Sequence, residues 1–344
     1  MPEVNILAIE SSCDDTSAAV LRNTTLLSNV IANQAVHAAY GGVVPELASR
    51  AHQQNIVVVV ETALKKASLM LKDLSAIAVT AGPGLSGSLL VGLSFAKAMA
   101  FALKIPLIAT DHLRGHILSH FIEKKSPQPQ FPFLVLCVSG GHTQIMKVNS
   151  YFDMQLIGHT IDDAAGETFD KAAKILGLPY PGGPIVDKLA KTGNPDAFMF
   201  AKAQMQGFDY SFSGLKTSFL YFLRDNLRQN PNFIKENLND LCASFQKQII
   251  LSLTDKLIKA SKALNIKEIA LAGGVSANSC LQQSMKDLSV KYHWNLYVPD
   301  LQLSTDNAAM IGIAAYFQYL QKDFADWNLV PYTRYKSGEL KVES

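Results

Sequence analysis

Three of the chain's eight histidines fall in one ten-residue stretch, DHLRGHILSH, at positions 112, 116 and 120. Imidazoles four residues apart on a helix share a face and lie about 6 Å apart along its axis. That suits two ligands of one metal ion. His112 with His116 meets the condition, and so does His116 with His120. All three together do not, because a rise of roughly 12 Å separates the outer two while metal–nitrogen bonds are about 2 Å. Spacing alone leaves the choice of pair open, and it leaves ordinary surface histidines open too. Gly115 beside the first pair would let such a helix approach another element closely. The residue after His112 is Leu113, so the HExxH pattern and its glutamate base are missing, which argues against a zinc peptidase. A third ligand must come from elsewhere. Asp306 in LSTDNAAMIG is the best candidate, with helix capping by Ser304, Thr305 or Asp306 as the competing explanation. Two histidines and one carboxylate with open positions form the donor set of non-haem Fe(II) or catalytic zinc sites.

Glycine-rich turns supply a second kind of chemistry. ESSCDD (residues 10 to 15), VSGGHT (138 to 143) and AGGVSAN (272 to 278) each follow an apolar run. Glycine lets backbone N–H groups come close to an anion, and small hydroxyls add donors. Each turn alone is a weak signal. Three at equivalent places point to a nucleotide-like phosphate ester. TAGPGLSGS (80 to 88) lacks the Lys-Ser/Thr ending of a Walker loop and is not GxGxxG, so it reads equally well as a tight strand-to-helix turn. YPGGP (180 to 184) precedes a helix, with Gly183 and Asp187 expected at and inside its first turn. An acid there can accept from a ribose hydroxyl, or it can simply favour the helix dipole.

These residues need a frame. VNILAIESS, TSAAVLRN and TTLLSNVIAN read as an opening meander of three strands, and a helix follows from Pro45 to about Met70. LSAIAVTAGPG is a strand and turn, SGSLLVGLSFAKAMAFAL a helix, and IPLIAT a strand that leads into the histidine helix. Residues 124 to 132, KKSPQPQFP, form the best linker. Then the plan repeats: two strands around VSGGHT, a third at MQLIGHTI, helices, a strand-turn-helix at EIALAGGVSANSC, the strand NLYVP and the closing helix DNAAMIGIAAYFQYL. A duplicated α/β fold of the actin/hexokinase/Hsp70 (ASKHA, RNase H-like) kind is expected, two-lobed, with its active site in the interlobe cleft. Its lobes would span residues 1–130 and 131–305, and the helix of about 306–322 would pack back on the first.

Composition is compatible with this. The 344 residues suit two domains, 48% are hydrophobic and 17% charged, and the net charge is +2. So weak a basic balance implies that an RNA substrate would be gripped with help from a partner subunit. Arg50, Lys97 and Arg114 lie near the motif loops, although exposed basic residues usually face solvent. Cys13, Cys137, Cys242 and Cys280 show no CxxC spacing and fit reduced thiols. MPEVNILAIE carries Glu3 and no long apolar region, so no signal peptide is expected. The runs IVVVV and LIAT fall short of the roughly 20 residues that span a bilayer, so a cytoplasmic protein is expected.

The ordered segments IESSCDDTS, GGVVPELASRAH, AGPGLSGSLLVG, DHLRGH, VSGGHTQI, DDAAGETFDKAAKILGLPYPGGP, FSGLKTS, AGGVSAN and STDNAAMIG resemble the bacterial tRNA N6-adenosine threonylcarbamoyltransferase (TsaD) family, formerly called O-sialoglycoprotein endopeptidases. The resemblance runs from about residue 5 to residue 322. It implies metal ligands at His112, His116 and Asp306, with Fe²⁺ the usual metal and Zn²⁺ an alternative. It implies substrate contacts at Cys137, Val138, Ser139, Gly140 and Gly141, and adenylate contacts at Asp170, Gly183, Asp187 and Asn278. It also implies transfer of a threonylcarbamoyl group from threonylcarbamoyl-AMP to the adenosine 3′ of the anticodon in tRNAs reading codons that start with A. The partners implied are a paralogous TsaB-like subunit and a TsaE-like ATPase, with no membrane. Departures are Asp111, where many members have His or Asn, and Val58, where Pro is common. Glu10, Asp14 and His142 are candidate acid–base groups. The alternatives are an ATPase or phosphotransferase of the same fold, which would hold Mg²⁺ on acids such as Glu10 or Asp14, and a non-catalytic subunit.

Overall fold

The computed structural model describes residues 3–34, 37, 40–123, 127–201 and 205–335; residues 124–126 of the expected linker lie outside them. The chain divides into two compact units. The first is Met1–Gln128 with Tyr151–Asp153 and Pro299–Ser344, and the second is Pro129–Ser150 with Met154–Val298.

In the first unit, β1 (Asn5–Glu10), β2 (Thr16–Arg22) and β3 (Thr25–Ala32) form the antiparallel meander, and β4 (Ala76–Gly82) and β5 (Leu107–Asp111) extend it in parallel. The sheet order is β3-β2-β1-β4-β5. Every residue of β1 and β4 is buried, which explains their unbroken apolar runs. Side chains alternate across the sheet. Leu7 and Ile9 pack on α1 (Pro45–Ala67) and α2 (Ser86–Leu103). Ala8 lies on the other face, against Gly312 of α10 (Ala308–Gln321). Helix α1 begins with Pro45 as expected and stops at Ala67, three residues before the expected end. Ser68 is left-handed there (φ 55°) and returns its N–H to Leu64 and Lys65. Helix α2 is long and apolar enough to cross a membrane by length and composition, which the short apolar runs did not suggest. Here Leu89, Leu93, Ala96 and Ala100 are buried within the folded unit, and α2 packs on β4 and α1.

The short helix α3 (His112–Leu118) follows β5 directly and packs on α10. A 3-10 turn, Ser119–Phe121, continues it and carries His120. The regular helix therefore ends before the second histidine pair is complete.

The second unit repeats the plan. β6 (Phe133–Val138), β7 (Thr143–Val148) and β8 (Met154–His159) form a meander, and β9 (Glu268–Ala272) and β10 (Asn295–Tyr297) extend it in parallel. Its order, β10-β9-β6-β7-β8, is that of the first sheet with each strand replaced by its counterpart. Helices α4 (Ala165–Ile175), α5 (Gly182–Ala190), α6 (Ser213–Gln229), α7 (Phe233–Leu264) and α8 (Ser279–Tyr292) complete it. Phe169, Phe219, Phe245, Ile249 and Leu253 join β6 and β9 in its core. A four-residue helix, α9 (Leu301–Ser304), precedes α10 in the first unit.

Candidate functional site

His112 and His116 stand one turn apart on α3, their ring centroids 4.8 Å apart and nearly perpendicular. Asp306 reaches them from the turn before α10. Its Oδ1 lies 3.1 Å from His116 Nε2 and 3.5 Å from His112 Nε2. The approach depends on Gly115. A Cβ there would meet Ile311 Cδ1 at 3.0 Å and the Met310 carbonyl oxygen at 3.3 Å, so glycine lets α3 and α10 touch. Asp306 does not cap α10. Asn307 does, accepting from the Met310 N–H at 3.1 Å. His120 is buried in the 3-10 turn and is not in the group of His112, His116 and Asp306, whose ligand atoms lie within 4.8 Å of one another.

A metal ion fits this donor set. Metal–ligand bonds of about 2.1 Å place neighbouring ligand atoms roughly 3.0–3.4 Å apart, close to both carboxylate–imidazole separations. Charge agrees as well. Glu10 is fully buried behind His112. Its Oε2 accepts from His112 Nδ1 at 3.0 Å and from Thr80 Oγ1 at 2.6 Å, and its other oxygen accepts from the Ser12 N–H. Ser12 Oγ stands 3.1 Å from the same imidazole nitrogen. A divalent ion would balance Glu10 and Asp306 while both histidines stay neutral. Without one, a proton takes its place. Burial opposes a charge on His112, but Asp306 and Glu10 outweigh it and hold the imidazole well above its usual range. Burial likewise raises Asp306 and Glu10, and the His112 charge outweighs it and holds both carboxyls low. Ligation through Nε2 leaves His112 Nδ1–H on Glu10, the carboxylate–histidine arrangement that orients metal-bound imidazoles. His116 Nδ1 is buried and lacks a hydrogen-bond partner among the described residues.

Beside these residues the 10–15 turn is fastened from three sides. The Leu85 N–H donates to the Ser12 carbonyl at 2.7 Å, Ser88 Oγ to the Cys13 carbonyl at 3.1 Å, and His52 Nε2 meets the same carbonyl at 3.0 Å. Burial, then Asp14, Asp306 and Glu10, push the Asp15 carboxyl up to about 7. Sequence reading singled out Asp14 in this pair and passed over Asp15; the doublet itself was the available signal. Burial and the Asp14 charge push the Cys13 thiol up, away from the reactive thiolate form.

The remaining predicted residues belong to the second unit. The 138–143 turn ends β6, with the Ser139 N–H on the His142 carbonyl at 2.8 Å and the His142 N–H on Ser139 Oγ at 3.1 Å. Cys137 and Val138 have buried side chains. Gly140 and Gly141 are exposed, and a Cβ at either would touch nothing within 4 Å, so the backbone there is open to a ligand. Gly273 (φ +82°) presses on the Val138 carbonyl, and Gly166 at the start of α4 presses on that of Ser139; a Cβ at either would sit 2.5 Å from the oxygen. The second and third glycine turns are thereby neighbours. Asp170 Oδ1 accepts the Gly182 and Gly183 N–H groups at 2.8 and 3.1 Å, holding the start of α5. Asp187 lies beyond the first turn of α5, contrary to expectation, since Gly182 is the first helical residue. Its carboxylate takes the Ser279 hydroxyl at 2.9 Å and the Ser279 N–H at 3.2 Å. Asn278 caps α8 through the Leu281 N–H at 2.9 Å and donates to Gln246 Oε1 at 2.7 Å.

Of the three basic residues near the motif loops, Arg50 pairs with Glu46 on α1, Arg114 is buried, and Lys97 Nζ donates to the Trp327 and Leu329 carbonyls at 2.7 and 2.6 Å.

Comparison with known proteins adds an independent line. A family model described as TsaD, tRNA N6-adenosine threonylcarbamoyltransferase, matches residues 25–313. The protein of that name from Christiangramia forsetii is 59% identical over 335 residues, covering 97% of this chain and 98% of its own. Those from Porphyromonas gingivalis and Chlorobium phaeobacteroides are 58% and 46% identical, covering 96% and 98% of this chain and 98% and 99% of their own. Among solved structures, HypF from T. kodakarensis matches with a TM-score of 0.63 at 15% identity, over 95% of this chain and 49% of that one. The activator of 2-hydroxyisocaproyl-CoA dehydratase from Clostridium difficile matches with a TM-score of 0.51 at 14% identity, over 94% and 99%. At those identities the likeness is one of fold, and with the repeated sheet order it gives a duplicated actin-like fold.

Proposed function

The chain belongs to the tRNA N6-adenosine threonylcarbamoyltransferase family, and from that premise we propose how its residues divide the reaction. The enzyme places a threonylcarbamoyl group on the N6 amine of an adenosine in tRNA. The donor in this proposal is threonylcarbamoyl-AMP, and the acceptor is the adenosine 3′ of the anticodon in tRNAs reading codons that start with A. The amine nitrogen attacks the carbonyl carbon, the C–N bond forms, the anhydride C–O bond breaks and AMP leaves.

His112, His116 and Asp306 would hold one divalent ion, Fe²⁺ or Zn²⁺. Bound there, such an ion supplies Lewis-acid polarisation of the carbonyl. Glu10 keeps the Nδ1 proton on His112, so that Nε2 is a free donor; its burial and its three protein partners suit orientation rather than proton transfer. The amine's proton is assigned to the Asp14–Asp15 pair, which lies in the 10–15 turn that also carries Glu10 and Ser12 beside His112; burial, then Asp14, raises the Asp15 carboxyl.

The AMP moiety is assigned to the open backbone of Gly140 and Gly141 in the Cys137–Gly141 loop. Asp170 would act by holding the Gly182 and Gly183 amides in place, and Asp187 and Asn278 by fixing the start of α8. His142 shapes the loop through its backbone. A TsaB-like paralogue, a TsaE-like ATPase and a cytoplasmic setting complete the proposal.

The observation that carries this reading is the convergence of two imidazoles and one carboxylate with a second buried carboxylate behind them. The test combines the chain with tRNA, threonine, bicarbonate, ATP, the adenylate synthase and the partner proteins, followed by nucleoside analysis. Modified adenosine should require the chain and disappear with His116→Ala. Full modification by that variant would refute the metal centre.

A further inference from the structure

Beyond α10 the chain turns at Lys322 (φ 58°) and runs back along the first unit. The Ala325 N–H donates to the Leu107 carbonyl of β5 at 2.8 Å, Trp327 meets Phe101 of α2 edge-on, and Lys97 grips two carbonyls of the segment. The Tyr332 N–H then donates to the Ala81 carbonyl at 3.0 Å. At this point the segment sits in a notch that only glycine leaves, since a Cβ on Gly82 would fall 2.1 Å from the Tyr332 carbonyl oxygen. Gly82 pairs with Asp111 across the sheet. The hydroxyls of Tyr332 and Tyr335 both donate to Asp111 Oδ2, at 2.5 and 2.7 Å, while Oδ1 accepts the Arg114 N–H at 2.8 Å. Asp111 is thus the cap of α3 on one oxygen and the anchor of the C-terminal segment on the other. The next residue is His112.

We propose that residues 323–335 are a strap that sets the position of the metal-site helix, with Tyr332 and Tyr335 as positioning residues acting through Asp111. The inference rests on the metal reading of His112, His116 and Asp306. Only a seven-residue helix carries the two histidines, so its first turn has little cooperative stability of its own. Two phenols on the capping carboxylate fix where that turn begins and therefore where both imidazoles point. Burial and the Asp111 charge raise Tyr332, so its hydroxyl stays a donor throughout the working range. A carboxylate can cap the helix and accept from two hydroxyls at once.

The test measures Co²⁺ affinity by chelator competition and the visible spectrum of the cobalt-loaded full chain, alongside the melting temperature of the metal-free protein. Outer partners of metal ligands are worth about 10–100-fold in affinity. The tyrosines act through the helix cap, so the Tyr332→Phe/Tyr335→Phe double variant should lose about tenfold, with an altered cobalt spectrum. Asp111→Ala, which also removes the cap on the Arg114 N–H, should lose more. Asp111→Asn should recover most of the loss, because its amide can donate to the phenol oxygens while its carbonyl keeps the cap. If the double variant folds poorly, Tyr335→Phe alone should give a smaller loss in the same direction. A lower metal-free melting temperature with unchanged cobalt affinity and spectrum would make the strap merely structural and overturn the inference. Cobalt binding that survives His116→Ala would instead overturn the metal reading, and the strap proposal with it.

Discussion

Replacing Glu10 with glutamine should weaken metal binding by about 10–100-fold while leaving the fold intact. The carboxylate accepts three hydrogen bonds: Ser12 N–H on one oxygen, and Thr80 Oγ1–H and His112 Nδ1–H on the other. Glutamine has the same shape but only one acceptor oxygen. If its amide nitrogen faces Ser12, two donors oppose each other, and a buried N–H loses its partner at a cost of about 1–3 kcal/mol. If the amide nitrogen faces His112, the imidazole must accept there and carry its proton on Nε2, the atom turned toward Asp306. Metal binding then has to reverse that tautomer and meets the same mismatch. The first mismatch is present with or without metal and costs fold stability alone; the second falls on the metal-bound state and corresponds to roughly 5–150-fold in affinity at about 1.4 kcal/mol per factor of ten. The assay is Zn²⁺ or Co²⁺ competition against a chelator of known affinity, with melting of the metal-free protein as the control. A Glu10→Gln variant that binds metal within about threefold of the parent would refute the orienting role, since that difference is below 1 kcal/mol.

Asp15→Asn should stabilise the metal-free protein at pH 8. A carboxyl whose folded value is about 7 holds its proton more tightly folded than unfolded, so folding loses stability as pH rises from about 4 to 7. The variant escapes that loss, on the order of 2–4 kcal/mol in full above pH 7 and vanishing below pH 4, as read by urea unfolding. The same substitution should remove an ionisation near neutral pH from the rate profile, and an unchanged profile would exclude the Asp14–Asp15 pair as the base. Gly115→Ala should change overall stability by less than about 1 kcal/mol, because helix propensity offsets crowding. It should still lower metal affinity, because the Met310 backbone cannot yield without moving Asp306 away from the imidazoles. Asp170→Ala should raise KM for the adenylate and leave metal content unchanged, whereas Asp170→Asn, which keeps an acceptor for Gly182 and Gly183, should be mild.

Much of the architecture was legible because each strand and helix announces itself locally. Runs such as VNILAIE and FLVLCV are buried on both faces, and their repetition gave away the duplication before any coordinates. The metal pair was half legible. Four-residue spacing named two candidate pairs, and the end of regular helix at Leu118 selects the first. Nothing local joins Asp306 to position 116; the signal was Gly115, whose missing side chain is the point of contact with α10. Asp187 was misplaced because a glycine-proline run blurs where a helix begins, and here α5 starts at Gly182.

What spacing could not reveal has a common physical form. Asp170, Asp187, Lys97 and Tyr332 all use a side chain to satisfy groups far along the chain, mostly backbone amides or carbonyls that carry no sequence signature. A carboxylate near a glycine turn looks the same in sequence whether it faces a ligand or the turn's own N–H groups. Burial separates the cases only partly, because both uses favour half-buried acids. Isosteric substitution separates them better. An acid that contacts the substrate through its charge should not tolerate asparagine, whereas one that holds amides should. Asp170 and Asp187 hold protein groups by geometry, so the proposed function predicts adenylate contacts on backbone rather than on these two acids. It also accounts for open glycines at 140 and 141 beside a framework of acids already occupied with protein.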